Sequence, residues 1–243
     1  MIYFISDVHL GYYKREREIE REELLVALLN RISEDCDTLF IVGDLFDYWF
    51  EYKKVIPKSF LRTLATLYQM RNRGIKIEYI MGNHDFGHID FFELELGIHI
   101  YKDDIERNLF GKRFYISHGD GKAHNDGPYL FLKKVLRSPF SMKLYQKLHP
   151  DFGIRLASGS SKKSRTYTDK KDYGMSDGMI EFAEKRISEG FDYVVMGHRH
   201  RQIFHRFNKG AYINLGDWFS NPAFGRFDGT EFSLVHVNEF LSQ

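Results

Sequence analysis

Cysteine is almost absent from this chain of 243 residues, which contains only Cys36. A single thiol cannot form a disulfide within the chain, and it cannot build a metal site from several thiolates. Such a composition is typical of proteins kept in a reducing compartment, and free cysteines are commonly buried. We therefore expect a cytoplasmic protein in which Cys36 belongs to the core.

Long apolar runs are also missing, since no stretch approaches the roughly 18 consecutive apolar residues of a membrane-spanning helix. The first residues, MIYFISDVHL, lack the charged segment and cleavage site of a signal peptide. Only five prolines are present, and no low-complexity tract or internal repeat marks a linker. With 43% hydrophobic residues, the chain is predicted to form one domain over residues 1–243.

Net charge is small, at +1, but it is unevenly distributed along the chain. The segment from Lys122 to Lys171 contains twelve Lys and Arg and three Asp, so it carries +9 and the rest of the chain −8. A basic segment of this kind indicates contact with phosphate groups, with a nucleic acid or with an anionic membrane.

Short runs rich in Ile, Val, Phe and Tyr recur along the chain, and each ends in a small residue followed by a polar one. Such runs are typical of buried parallel strands. They are IYFISD, TLFIVGD, IEYIMGN, RFYISH, YVVMGH and YINLGD. Segments with helical spacing lie between them, at 24–32, 60–68 and 179–187. Strands that alternate with helices predict a layered α/β fold.

The segment 125–171 is too long for an ordinary connection between two elements. Its apolar residues keep helical spacing on either side of Pro139, which predicts two short helices followed by a loop rich in Ser and Lys. We interpret this segment as a helical cap inserted between the strands that end at His118 and His198.

The polar residues at the strand ends are predicted to meet, because ligands in such sheets bind outside the carboxyl ends of the strands. The small residue before each one allows a sharp turn and a close approach of neighbouring backbones. The candidate metal ligands are Asp7, His9, Asp44, Asn83, His118, His198 and His200. Asp217 follows the same pattern in NLGDW, and we expect it to have a structural role.

This mixture of oxygen and nitrogen ligands favours Mn²⁺, Fe²⁺ or Zn²⁺ over Ca²⁺, which prefers oxygen alone. Seven ligands are too many for one tetrahedral ion. They suit two ions roughly 3.5 to 4 Å apart that share a carboxylate and activate a water molecule. The set therefore predicts a metal-dependent hydrolase acting at phosphorus.

The ordered motifs DVH, GD, GNHD, HGD and GHRH resemble those of the calcineurin-like metallophosphoesterase superfamily over nearly the whole chain. The resemblance implies a two-sheet sandwich flanked by helices. It implies one ion held by Asp7, His9 and His200, another held by Asn83, His118 and His198, and a bridge between them from Asp44. It also implies that His84 contacts the scissile phosphate and protonates or stabilises the leaving oxygen, with Asp85 orienting the His84 ring.

Within that superfamily, GDLFDYWF, HGDGKAHNDGPY, SGSSKKSR, GHRHR and LGDW, in this order around a helical insertion, resemble the UDP-2,3-diacylglucosamine pyrophosphohydrolase family. The resemblance implies a Mn²⁺-dependent enzyme of lipid A synthesis that releases UMP and 2,3-diacylglucosamine 1-phosphate. In that family the insertion holds the acyl chains, and its basic residues contact phosphate and sugar. The residues expected to bind substrate are Asp126, Ser161, Lys162, Lys163 and Arg165.

Several alternatives remain open from the sequence. Leu132, Phe140 and Leu144 line an apolar slot for acyl chains, or they simply anchor a surface helical hairpin. His84 stands where the pyrophosphohydrolase family usually carries Arg, and Arg199 stands where it usually carries Thr. The alternative function is therefore a related phosphoesterase that cleaves another phosphomonoester, diester or nucleotide diphosphate.

The same residues also indicate which other functions and partners are favoured or disfavoured. Nucleic acid is disfavoured because the basic residues are interleaved with leucine and phenylalanine rather than spread as an open stripe. A scaffold without catalysis would be expected to have lost ligands, yet all seven positions hold competent donors. Peripheral contact with an anionic membrane is compatible with a lipid substrate. No protein partner is indicated.

Overall fold

A computed structural model describes residues 1–122, 127–155 and 178–243 of the chain. The six-stranded sheet in this part of the chain contains β1 (Ile2–Ile5), β2 (Thr38–Val42), β3 (Lys76–Ile80), β4 (His99–Tyr101), β10 (Ala223–Phe227) and β11 (Phe232–His236). The five-stranded sheet contains β5 (Ile105–Leu109), β6 (Lys112–Ser117), β7 (Tyr193–Met196), β8 (Gln202–Phe207) and β9 (Gly210–Leu215).

Helices connect and cover these strands. They are α1 (Arg15–Ile32), a 3₁₀ turn (Lys58–Phe60), α2 (Leu61–Asn72), α3 (Phe91–Leu94), α4 (Gly127–Leu136), α5 (Pro139–Tyr145), α6 (Gly178–Ser188) and α7 (Val237–Leu241). Residues 150–155 are also helical. The three helical segments predicted beside the strands correspond to α1, to the 3₁₀ turn with α2, and to α6, so these predictions are confirmed.

The six predicted strands form the parallel centres of the two sheets. The first sheet has the order β11-β10-β1-β2-β3-β4, in which β1 to β4 are parallel and β10 and β11 are antiparallel. The second has the order β5-β6-β7-β9-β8, with β6, β7 and β9 parallel. The sequence analysis does not predict β4, β5, β8, β10 and β11. These strands lie at or next to sheet edges, where partly solvated strands lack a continuous apolar run.

Alternation along each strand builds the core between the two sheets. In β1, Ile2 and Phe4 face the second sheet, whereas Tyr3 and Ile5 face the helices that cover the first. The ring of Phe4 stacks on the ring of Phe114 from β6, with centroids 5.9 Å apart. The inner faces of both sheets therefore share one apolar layer.

Helices cover the two outer faces. Leu25, Leu28 and Leu29 of α1 pack with the outward residues of β1, β2 and β3, and Cys36 lies in the same cluster. Met179 of α6 packs with the outer face of the second sheet. The order is helix, sheet, sheet, helix, which confirms the predicted two-sheet sandwich. The buried position of Cys36 is confirmed as well.

The two short helices predicted in the cap are present as α4 and α5. Pro139 is the first residue of α5, and the Ser138 side chain accepts a hydrogen bond from the backbone N–H of Ser141, which satisfies one free donor of that helix. Residues 123–126 and 156–177 lie outside the described part of the chain. The boundaries 125–171 of the cap therefore stay a prediction.

Glu51 joins the loop after β2 to the loop after β3. Its buried carboxylate accepts hydrogen bonds from the backbone N–H groups of Ile89, Asp90 and Phe91, at 2.8, 2.7 and 3.0 Å, and from the indole of Trp49 at 3.0 Å. Burial disfavours its charge, but the His88 ring, with Nδ1 3.6 Å from Oε1, and these donors lower the pKa of Glu51 to about 2. The charged form of Glu51 therefore holds the two loops together.

Removing this charge is expected to destabilise the protein. Because the folded pKa lies below the ordinary value of 4.5, the charge stabilises the fold above about pH 4.5 by about 3 kcal/mol, and this contribution is lost as the pH falls toward 2. Glu51→Gln should lower the free energy of unfolding in urea by about 2 to 3 kcal/mol at pH 7, with a smaller difference near pH 4. Glu34→Gln, at an exposed ion pair, is the control. Equal stability of wild type and Glu51→Gln at pH 7 would contradict this role.

Candidate metal centre

Five of the predicted ligands follow the carboxyl ends of parallel strands. Asp7 follows β1, Asp44 follows β2 and Asn83 follows β3, whereas His118 and His198 follow β6 and β7. Both sheets contribute, because their parallel strands end on the same side of the sandwich. The two sheets therefore bring together residues that lie far apart in the sequence.

Backbone conformation at the ligands is unusual. Positive φ angles of 49° to 70° occur at Asp7, His9, Asp44, His198 and His200. Residues with a Cβ rarely adopt this region, and each such residue costs of order 1–3 kcal/mol that the surrounding structure must offset. Hydrogen bonds between the loops supply part of this support, since the N–H of His9 donates to the carbonyl of Asp44 at 3.0 Å. Strain concentrated at these positions supports a functional site.

Two glycines that precede ligands leave space for carboxylates. A Cβ at Gly82 would lie 2.0 Å from Oδ1 of Asp44, and a Cβ at Gly197 would lie 2.3 Å from Oδ2 of Asp7. Any larger residue at either position would displace the carboxylate that it meets. The structure confirms that small residues at these strand ends allow the close approach expected from the sequence.

Asp7, His9 and His200 form one compact group. Nε2 of His9 lies 3.2 Å from Nε2 of His200, and these two atoms lie 3.7 and 3.5 Å from Oδ1 of Asp7. All three ligand atoms fall within 4.8 Å of one another, which is close enough to hold one metal ion. The structure brings these three residues together as the sequence predicts.

Asp44 lies between this group and the second set of predicted ligands. Its Oδ2 is 3.7 Å from Nε2 of His9 and 3.3 Å from Nε2 of His118. Nε2 of His118 is 3.0 Å from Oδ1 of Asn83, and Nδ1 of His118 lies 2.9 Å from the carbonyl of Val42. That second contact fixes the ring so that Nε2 faces Asp44. Asp44 therefore lies between the two sets of predicted ligands.

His198 is held near the second set but makes fewer contacts with it. Its ring centroid lies 5.2 Å from that of His118. Its backbone N–H donates to both oxygens of Asp7, at 3.2 and 3.0 Å. Burial and the charge of His118 lower the pKa of His198 to about 4. Burial opposes charge on His118 too, but Asp44 and Asp7 outweigh it and raise the pKa of His118 to about 10.

The residues fit a divalent metal ion. Oδ2 of Asp44 is buried, and within residues 1–122, 127–155 and 178–243 no group donates a hydrogen bond to it. Burial opposes its charge, yet His118 and His84 keep the pKa of Asp44 well below its ordinary value. A buried, ionised oxygen that faces two imidazoles and accepts no hydrogen bond is well suited to a bound cation.

Asp47 supports both the metal group and His84. Nδ1 of His84 lies 3.2 Å from the carbonyl oxygen and 3.6 Å from Oδ1 of Asp47. The same Oδ1 lies 3.5 Å from Nδ1 of His9. The sequence analysis misses Asp47, although it stands three residues after Asp44 in GDLFD.

The structure corrects the role predicted for Asp85. Its carboxylate accepts hydrogen bonds from the N–H groups of Leu45 and Gly82, at 2.9 and 2.8 Å, and from the hydroxyl of Tyr79. The prediction that Asp85 orients the His84 ring is therefore wrong, because both of its oxygens are used to fasten the loops after β2 and β3. Asp47 lies at the ring instead.

His84 itself lies at the edge of the centre. Its backbone N–H donates to Oδ1 of Asp44 at 2.8 Å, and its ring centroid is 4.8 Å from that of His9. A ring nitrogen of His84 also falls within 4.8 Å of ligand atoms of His9 and Asp44. The structure therefore places His84 where a group bound by the predicted ligands would meet it.

A cavity of ≈ 230 Å³ lies beside His118, between the strand ends and α4. Asp120, Lys122, Leu130 and Lys133 are among its lining residues. Lys133 lies 2.7 Å from Asp120, whose pKa would be raised by burial but is held below its ordinary value by His118, Lys133 and other cations. The sequence analysis misses Asp120, although the HGD motif contains it. The predicted substrate-binding residues Asp126, Ser161, Lys162, Lys163 and Arg165 lie outside the described part of the chain.

Comparison with known proteins gives the family. The model of the calcineurin-like phosphoesterase family matches residues 1–202. The chain belongs to this family. The phosphoesterase is 32% identical to a UDP-2,3-diacylglucosamine hydrolase of Porphyromonas gingivalis, over 98% of this chain and 98% of that protein. It is 27% identical to the UDP-2,3-diacylglucosamine hydrolase of Haemophilus influenzae, over 91% of this chain and 92% of that protein.

A solved archaeal phosphodiesterase aligns with 97% of this phosphoesterase and 98% of its own chain. Its identity is 16% and its TM-score 0.45. Family membership confirms the predicted superfamily and an enzyme that hydrolyses phosphate esters or anhydrides. It also implies divalent metal ions, in agreement with the grouped ligands. Among the described residues of the phosphoesterase, no helix has the length and apolar character needed to cross a membrane.

Proposed function

We propose that this phosphoesterase hydrolyses the diphosphate of UDP-2,3-diacylglucosamine and releases UMP and 2,3-diacylglucosamine 1-phosphate. The observation that carries the proposal is similarity over nearly the whole chain to relatives named for hydrolysis of this compound. The grouped carboxylates and imidazoles at the strand ends support it, since such a ligand set suits ions that act on phosphates.

The ligands are assigned to two Mn²⁺ ions, with Fe²⁺ or Zn²⁺ as alternatives. Asp7, His9 and His200 would hold one ion, and Asn83, His118 and His198 would hold the other, with Asp44 placed between the two sets. When bound, such ions neutralise phosphate charge and make a water acidic enough to supply hydroxide near neutral pH. The close approach of Asp44 to His9 and His118 supports the assignment.

His84 protonates or stabilises the leaving phosphate oxygen. The Asp47 carbonyl beside Nδ1 favours a proton on that nitrogen, and the Asp47 carboxylate stabilises a positive ring. Asp47 is the positioning residue for His84, and it links His84 to the metal ligand His9. With Nδ1 turned to Asp47, the proton for the leaving oxygen would be the one on Nε2 of the charged ring.

The cap holds the acylated sugar. Its helix α4 touches the centre directly, because the guanidinium of Arg137 donates to the carbonyl of Gly82 at 2.6 Å and Lys133 contacts Asp120. Leu130 lines the cavity beside His118. The basic residues predicted from the sequence, Lys162, Lys163 and Arg165, together with Ser161 and Asp126, are proposed to contact phosphate and sugar.

Hydrolysis assays with three substrates test the proposal. The purified enzyme is freed of metal and supplied with Mn²⁺, and product release is measured from UDP-2,3-diacylglucosamine, UDP-glucose and p-nitrophenyl phosphate. We expect Mn²⁺-dependent release of UMP from the acylated substrate and little turnover of UDP-glucose. Turnover of the simple esters without turnover of the acylated substrate would overturn the assignment and favour the related phosphoesterase suggested by His84 and Arg199.

The outward face of α4 supports peripheral contact with an anionic membrane. Leu130, Lys133 and Arg137 contact the body of the protein, so Phe131, one position along from Leu130, points away from it. Phe131 and, on α5, Phe140 are 72% and 77% exposed, and exposed lysines lie on the same two helices. Exposed aromatic residues beside basic ones match the chemistry of a membrane surface. The cytoplasmic compartment predicted from the sequence stays a prediction.

The double variant Phe131→Ser with Phe140→Ser tests this contact. Burial of each phenylalanine stabilises the bound state by about 1.5–3 kcal/mol, so the pair should reduce flotation with anionic vesicles at least about tenfold. Leu94→Ser, at a residue 75% exposed outside the cap, is the matched control and should float like the wild type. Recovery of all wild-type protein unbound would remove the membrane contact.

A further inference from the structure

An aromatic shelf lies beside the group formed by Asp7, His9 and His200. The shelf consists of Tyr12, Tyr13 and Phe219, which are all half-buried. The Phe219 ring stacks on the ring of His9, with centroids 5.6 Å apart and an interplanar angle of 23°. Tyr12 and Tyr13 meet Phe219 at centroid distances of 5.1 and 5.9 Å. Three partly exposed rings therefore adjoin the candidate metal ligands.

The shelf is held in a fixed position. The guanidinium of the buried Arg21 lies 5.1 Å from the ring centroid of Tyr13 and 5.0 Å from that of Phe219, and it donates to the carbonyls of Val8 and His9. The N–H of Tyr13 donates to Glu18 at 2.8 Å. Asp217 accepts from the N–H of Phe219 at 2.9 Å, which agrees with the structural role expected for Asp217. Rings fixed in this way lose little entropy when a ligand binds.

Arg17 places unused donors at the shelf. Its guanidinium lies 3.9 Å from the ring centroid of Tyr13, and the side chain is exposed. Within the described part of the chain, no acceptor is hydrogen-bonded to it. The shelf therefore combines flat apolar faces with a donor for a carbonyl oxygen, which are the two requirements for binding a pyrimidine base.

The two sides of the metal centre have different surroundings, so each side suits a different end of a substrate that contains a diphosphate. The His118 side adjoins the cavity and α4, where the acylated sugar is proposed to bind. The shelf lies on the other side, against His9 and His200, with Phe219 6.1 Å from the His200 ring. A diphosphate held across the centre directs its sugar toward one side and its nucleoside toward the other.

We propose that Tyr12, Tyr13 and Phe219, with Arg17, bind the uracil base of the substrate. The inference rests on the proposed function, because it assigns a second subsite for the same substrate. The base packs against the Tyr12 ring beside the stacked pair of Tyr13 and Arg17, and the Arg17 guanidinium donates to a carbonyl oxygen of uracil. The reacting phosphate is then positioned by contacts on both of its sides.

Calorimetry tests the shelf without requiring turnover. The affinities of the Mn²⁺-loaded enzyme for UMP and for ribose 5-phosphate are measured. Both ligands carry the phosphate, but only UMP carries the base. The wild type should bind UMP about 10- to 100-fold more tightly, as expected for a stacked base, and Tyr12→Leu with Tyr13→Leu should remove this preference. Tyr68→Leu, at a half-exposed tyrosine of α2, is the control and should keep both the preference and the activity.

Arg17→Gln is a second test at an exposed residue, where the fold is not at risk. It should weaken UMP about tenfold, near the value of one hydrogen bond to a charged group, and leave ribose 5-phosphate unchanged. If the wild type binds both ligands equally, or if all shelf variants keep the preference for UMP, the inference is overturned while the proposed substrate stands. If UMP is preferred and the shelf variants lose that preference, the role of the shelf is supported. Failure to hydrolyse UDP-2,3-diacylglucosamine is a separate result, which would overturn the proposed substrate.

Discussion

Asp44→Asn is expected to abolish hydrolysis and to remove bound metal, although the substitution keeps the size and shape of the side chain. The amide has no charge to hold two cations together, and Oδ2 of Asp44 faces both His9 and His118. Loss of a residue that merely supports a metal ligand costs about 10- to 100-fold in affinity or activity, so loss of the ligand proposed to be shared by both ions should cost more. His118→Ala should have a comparable effect, since it also removes a ligand of this set.

Metal content and turnover are measured together for these variants. Asp228→Asn is the matched control, because Asp228 also follows a strand end, after β10, but accepts hydrogen bonds from the N–H groups of Thr230 and Glu231 instead of joining the ligand group. It should keep metal and activity. Near-normal turnover of Asp44→Asn at wild-type metal content would rule out a metal bridge at this position.

His84→Ala is expected to slow hydrolysis by about 10² to 10⁴-fold, the range for loss of a general acid, and to leave the metal in place. The reason is that His84 lies at the edge of the group, with its Nδ1 turned toward Asp47. Asp47→Asn should have a smaller effect in the same direction, because it leaves the His84 ring present but removes the carboxylate beside it.

The metal stoichiometry separates an acid from a ligand at His84. A ring nitrogen of His84 falls within reach of His9 and Asp44, so a ligand role predicts that His84→Ala loses metal as well as rate. His99→Ala, at an exposed histidine paired with Glu93, is the control for replacing a histidine. An unchanged rate in His84→Ala would exclude both roles.

The parallel centres of the sheets, and the carboxylates and imidazoles that gather at their ends, were predictable from short stretches of sequence. Each central strand is buried on both faces and reads as a continuous apolar run. Five of the seven predicted ligands follow such a run, and His9 and His200 stand two residues further along. The edge strands were not predictable in this way, because a strand with one solvated face has a weaker pattern. The pair β8 and β9 is an example, since only β9 was predicted.

The sequence alone therefore determined which oxygen- and nitrogen-bearing side chains stand at or near the strand ends, where the fold gathers them. Only the tertiary structure decided which carboxylate serves which ring: Asp47 lies at His84, and Asp85 fastens the neighbouring loops. Tyr12 and Phe219 likewise meet only in the folded chain, although they are far apart in sequence. The spacing of apolar residues indicates which face of each segment is buried. Contacts between distant residues depend instead on how the two sheets and their loops pack together.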